Sequence, residues 1–139
     1  MKMELSSKTH SELSDITQIF SIEKLQKLQD LFSDAHQIAS IITYPNGEPI
    51  TQASGFTRFC FDYVRKTKKG LHNCMYSDSC IGKFNANGPT VQRCLSAGLW
   101  DAGVSIKIGN KHLGNWLIGQ IRTTEIDEAE IKDYAVEIG

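Results

Sequence analysis

A chain of 139 residues with 40% apolar content and a formal net charge of −1 fits one compact domain with a real core. The balanced charge argues against nucleic acid as a partner, which wants a basic surface, and no apolar run of about 18 residues exists to span a membrane. The N-terminal MKMELSSKTHSELSD lacks the apolar core of a signal peptide. The expected compartment is therefore the cytoplasm, with the four cysteines as reduced thiols or metal ligands rather than disulfides.

Residues 1–20 are polar and read as a leader, in which Ile16, Ile19, Phe20 and Ile22 make a short amphipathic turn. Ser21 is a capping start, Glu23 suits the first turn, and Leu25, Leu28, Leu31 and Phe32 recur at helical spacing, which predicts a helix over 21–35. The β-branched run 38–44, the turn Pro45-Asn46-Gly47 and the stretch 48–51 predict a hairpin. Phe59, Cys60, Tyr63 and Val64 predict a helix over 56–66 that Gly70 ends. The basic run 65–70 reads as a solvated helix cap. A second helix is expected over 71–85, with Cys74, Ser77, Ile81 and Phe84 on one side, before Asn87-Gly88-Pro89 stops it.

A strand at 90–94 precedes a hairpin of two strands, about 99–108 and 113–121, around a Gly109-Asn110 turn. A last helix over 125–139 ends without a convincing cap, as though cut from a longer polypeptide. This order predicts an α+β fold: an antiparallel sheet of about five strands with helices packed on one face, as in PAS-like sensor domains.

Several side chains exceed what plain strands need. Alternation places Trp116, Ile118 and Gln120 on one strand face. A carboxamide among apolar neighbours needs a partner, either a backbone group or a ligand. Trp100 shares a face with Ala102, Val104, Ile106 and Ile108, while Asp101 has the opposite parity and offers an acceptor to a ligand hydroxyl or amine. Cys60, Cys74 and Cys94 come from three elements that would meet at one cavity. Cys-x-x-Cys spacing is absent, so apolar lining, a zinc or iron–sulfur site using Cys60, Cys74, Cys80 and Cys94, and reversible thiol chemistry all stay open. No catalytic triad signature, phosphate loop or kinase motif is present, so this segment is not expected to be an enzyme.

Phe59-Cys60, Cys74, the run Cys94-Leu95-Ser96-Ala97-Gly98-Leu99-Trp100-Asp101 and the pair Gly119-Gln120 together resemble the PocR sensory domain family. The likeness covers about 25–126. Ser96 stands where no histidine follows Cys94, and Cys80 falls outside the pattern. The resemblance implies a PAS-like variant that binds small organic molecules such as short diols, upstream of a histidine kinase or transcription-factor module. Its implied division is a leader over 1–20, a sensory domain over 21–126 and the start of a signalling helix over 127–139. The candidate ligand-binding residues, from these motifs and the strand faces together, are Phe59, Cys60, Cys74, Cys94, Trp100, Asp101, Trp116 and Gln120. The expected partners are a small organic ligand, an output module in cis or in trans, and a second copy in a homodimer.

Overall fold

Strands β1 (Ala39–Thr43), β2 (Thr90–Arg93), β3 (Trp100–Ile108) and β4 (Lys111–Ile121) form one antiparallel sheet in the order β1-β4-β3-β2, in a computed structural model that describes residues 15–139. The leader reading for residues 1–14 lies outside the described residues. Among the described residues, three α-helices accompany the sheet: α1 (Ile22–His36), α2 (Lys68–Ile81) and α3 (Glu128–Ile138). The result is an α+β fold compatible with a PAS-like arrangement, with four strands among the described residues rather than about five.

The missing strand is 48–51, which makes isolated bridges instead of a ladder: Thr43 to Pro49 and, beyond it, Ser40 to Ser54. Pro49 has no N–H to give. The Ile50 and Thr51 amides both converge on the Ile42 carbonyl, and the Ile42 amide donates to the Thr51 side chain instead of a backbone carbonyl. The segment still runs along β1 and satisfies it.

Both faces of β1 are buried, and adjacent residues point to opposite sides. Ile42 packs with Leu25 of α1 and with Leu113 and Ile16, so α1 covers one face at the β1 edge. Ile41 packs with Leu117 and Ile81 of α2, so α2 covers the other. The expectation of helices on one face therefore holds for α2, with α1 as the exception. Ile16, fully buried in a short 3₁₀ turn (Ile16–Gln18), anchors the chain ahead of α1. Burying a side chain of this kind is worth about 1.5–3 kcal/mol.

The helix predicted over 56–66 is a five-residue π-helical turn (Phe59–Tyr63) followed by a 3₁₀ turn (Val64–Lys66). Gly70 does not end it. Thr67 caps α2 by accepting the Gly70 amide, and a side chain at Gly70 would run into the Val64 carbonyl. The second helix accordingly starts at Lys68 and stops at Ile81. Phe84 lies outside it, exposed, with the Lys107 ammonium 3.7 Å from its ring centre. The hairpin of β3 and β4 closes as expected between Ile108 and Lys111, with Gly109 at φ 57°. The last helix begins at Glu128, because Asp127 caps it by accepting the Ala129 amide.

Candidate functional site

On the α2 side of the sheet lies a cavity of about 30 Å³. That is room for roughly two or three water-sized groups. Its floor is the start of β1, the start of β3 and the end of β4. Its walls are the π-helical turn, α2 and the loop before β3. Phe56, Ala97, Leu99 and Leu117 make the apolar lining, and the polar groups are few: Arg65, Asp78, Asp101, Gln120 and three thiols.

α2 brings its contribution through helical periodicity. Gly70, Cys74, Ser77, Asp78 and Ile81 are its buried residues, spaced to fall on one face. Cys74 and Asp78, four residues apart, both reach the cavity. The π-helical turn aims Cys60 at it. Such wide turns are uncommon and concentrate at functional sites. Cys94 arrives from a tight loop in which its amide donates to the Leu99 carbonyl and its carbonyl accepts from Gly98.

Gln120 reaches the cavity by breaking the strand pattern. Trp100 pairs with Ile121 and Asp101 with Gly119, so Gln120 is an extra residue, a β-bulge. It sits at φ 62°, a left-handed conformation costly for a residue with a side chain. The surroundings hold it there: its amide donates to Asp101 Oδ1 at 2.7 Å, and its Oε1 accepts from the Thr57 amide at 2.7 Å. Gly119, at φ 152°, has no room for a Cβ because Asp101 occupies that space.

The electrostatics follow from burial. Arg65 and Asp78 form an ion pair at 3.0 Å, with side chains only 12% and 10% exposed. Burial pushes the Asp78 carboxyl up, and the Arg65 guanidinium pulls it back. Burial pushes Asp101 up to about 6, against the Gln120 amide, the Cys94 thiol and Arg65. The same desolvation pushes Cys60 to about 11, Cys74 to about 12, and Cys94 also upward. At neutral pH these are thiols, not thiolates, and act as soft walls and weak donors. Among the described residues, no group of three or more His, Cys, Asp or Glu side chains is placed to hold a metal ion.

The cavity thus gathers Cys60, Cys74, Cys94, Asp101 and Gln120 of the expected set. Phe59 and Trp100 pack around the neighbouring core of Cys60, Val64 and Cys74 without lining the cavity. Trp116 lies on the opposite face. Its ring meets Phe32 edge-on, its Nε1 donates to Ser40 Oγ at 2.8 Å, and it lines an apolar groove of about 220 Å³ with Phe32 and Val104. That groove is larger, but no lining side chain carries a charge or an amide to orient a ligand. Cys80 is half-buried beside Tyr76 and away from the cavity lining. Arg65 and Asp78 were not among the expected site residues. Arg65 belongs to the basic run that reads as a solvated helix cap, and the sequence reading assigns Asp78 no role. A carboxylate four residues after a buried Cys was the available signal.

α3 closes the back of the site. Tyr134 makes a short hydroxyl–hydroxyl contact with Ser96 and accepts from Asn73 at 3.2 Å, and Ser96 Oγ accepts from the Cys74 thiol at 3.4 Å. Ile126 and Ile138 pack into the core that holds Cys60 and Cys74. The cavity wall and the last helix are therefore joined through Cys74, Ser96 and Tyr134.

The family model described as the sensory domain found in PocR matches residues 18–139. The chain is also similar to Regulatory protein PocR of Salmonella typhimurium (strain LT2), 29% identical over 102 residues. That alignment covers 72% of this chain and 33% of the regulatory protein, so the chain matches about a third of that relative's length. No helix among the described residues is long and apolar enough to cross a membrane.

Proposed function

The chain belongs to the PocR sensory domain family, and from that premise we propose that it senses a small organic molecule in the cavity between α2 and the sheet. The output is a histidine kinase or transcriptional regulator, in cis or in trans. Ligand occupancy shifts the packing of α3, which passes the signal on. The domain itself is a binding module rather than an enzyme, with its thiols kept protonated and its carboxylates occupied in positioning.

One observation carries this reading. A small cavity with apolar walls holds polar groups whose hydrogen bonds are incomplete. Gln120 lines the cavity and spends its side-chain oxygen on the Thr57 amide, which leaves its side-chain NH2 as the donor end of the group. Arg65 Nε is buried without a partner. Such groups are costly unless something completes them. The cavity volume limits the ligand to a few non-hydrogen atoms unless the walls move, which favours short diols and alcohols over aromatic molecules.

Thermal shift and calorimetry with short-chain polar organics test the reading. Gln120→Asn is the informative variant, since Asn tolerates the left-handed backbone while its amide falls short by one methylene. The expected result is a weakening of ligand affinity by about tenfold, or about 1.4 kcal/mol, with the fold retained. Unchanged affinity in the variant would make Gln120 structural only.

A further inference from the structure

We propose that the preferred ligand is a short aliphatic 1,2-amino alcohol, its ammonium set against Asp101 and its hydroxyl oxygen accepting from Arg65 Nε. The inference rests on the sensing function above and narrows it to a chemical class.

The charge count of the cavity is uneven. It holds one guanidinium and two carboxyl groups, and its three thiols are neutral. Asp78 takes the guanidinium at 3.0 Å. Asp101 is left with neutral partners, the Gln120 amide on Oδ1 and the Cys94 thiol. Arg65, already paired with Asp78, steadies Asp101 only from a distance, and a desolvated carboxylate without an ion-pair partner of its own favours a proton or a cation. An ammonium supplies that cation. A diol supplies only a dipole, and a hydroxy acid would add a third negative charge.

The second observation is independent of the first. Arg65 Nε is fully buried and has no hydrogen-bond partner, although Arg65 borders the same cavity. It can only donate, so it calls for an acceptor oxygen on the ligand. A single molecule addressing both groups therefore carries one strong donor and one acceptor. A cavity of about 30 Å³ favours a short ligand with those two groups on neighbouring carbons. Cys60, Cys74 and Cys94 provide polarizable contact for the methylenes between them.

Isothermal titration of the 139-residue chain at pH 7.5 and fixed ionic strength decides it. The probes are 2-aminoethanol and 1-amino-2-propanol against 1,2-ethanediol and 1,2-propanediol, with glycolate as the anionic control. Each amino alcohol should bind at least tenfold more tightly than the diol of equal carbon count, and glycolate should bind more weakly than either. Asp101→Asn should shrink the amine-to-diol ratio to below about threefold. Should that variant fail to fold, the ratio in the parent chain still decides the matter. Diols that bind as tightly as the amines, or an unchanged ratio in folded Asp101→Asn, would overturn the amino-alcohol assignment and leave the sensing function standing. Failure of all five probes at tens of millimolar would remove both.

Discussion

Asp101 holds three relationships at once. It accepts the bulged Gln120 amide, fills the space that a Gly119 side chain would need, and faces the cavity. Its proton equilibrium is therefore a stability term. Burial raises its folded value to about 6, above the ordinary 3.8, with Cys94, Cys60, Arg65 and Asp78 as the titratable neighbours around it. A folded value above the unfolded one means that the native state binds the proton more tightly. The associated stability is fully present below about pH 4 and is lost as pH rises to about 6. Asp101→Asn lacks this term. Relative to the parent, the variant should gain about 1–2 kcal/mol between pH 4 and pH 7 in urea denaturation, after discounting for partial exposure. A difference that stays constant across that range would mean that Asp101 titrates normally.

At the level of elements, α3 docks through a hydroxyl cluster as well as through apolar packing. Tyr134 ties it to Ser96 and Asn73, while Arg93 with Glu130 and Lys69 with Glu137 add exposed ion pairs that are worth little individually. Tyr134→Phe removes the hydroxyl and keeps the ring. It should cost about 1 kcal/mol and speed amide exchange across α3 more than across β4. If α3 is the relay, the change in its exchange protection on ligand binding should also shrink in this variant. Equal ligand-induced protection in parent and variant would assign the relay to another element.

Across the whole molecule, the regular parts of the fold were legible in the residues and the irregular parts were not. Ser21 and the Gly109-Asn110 turn act locally, so capping and turn chemistry found them, and leucine spacing found α1 although Leu28 and Leu31 are exposed and its buried face is Leu25, Gln29 and Ser33. The π-helical turn at Phe59–Tyr63 keeps the apolar spacing of an α-helix, and only the packing of Val64 and Cys60 distinguishes the two. Five of the eight expected site residues meet in the cavity because α2, the π-helical turn and the loop before β3 carry the thiols there while β3 and β4 carry Asp101 and Gln120. Trp116 and Gln120 were separated by the bulge, a long-range register effect set by Asp101 nineteen residues away. Arg65 and Asp78 become a pair only through tertiary contact, thirteen residues apart.

The irregular segment after Pro45 has a further consequence, for self-association. An outer strand with free amides and carbonyls is a template on which another chain can pair. On β1 that template is already used up. Residues 48–54 engage the Ser40, Ile42 and Tyr44 amides from outside, partly through the Thr51 hydroxyl. They do so in a broken pattern, with Pro49 interrupting their own outward row. The opposite edge, β2, is only four residues long and follows Pro89. Pro49→Val would restore a donor and lengthen a regular rim. That variant should scatter more light than the parent on slow heating below the unfolding midpoint, and equal scattering would show that the rim is guarded by something else.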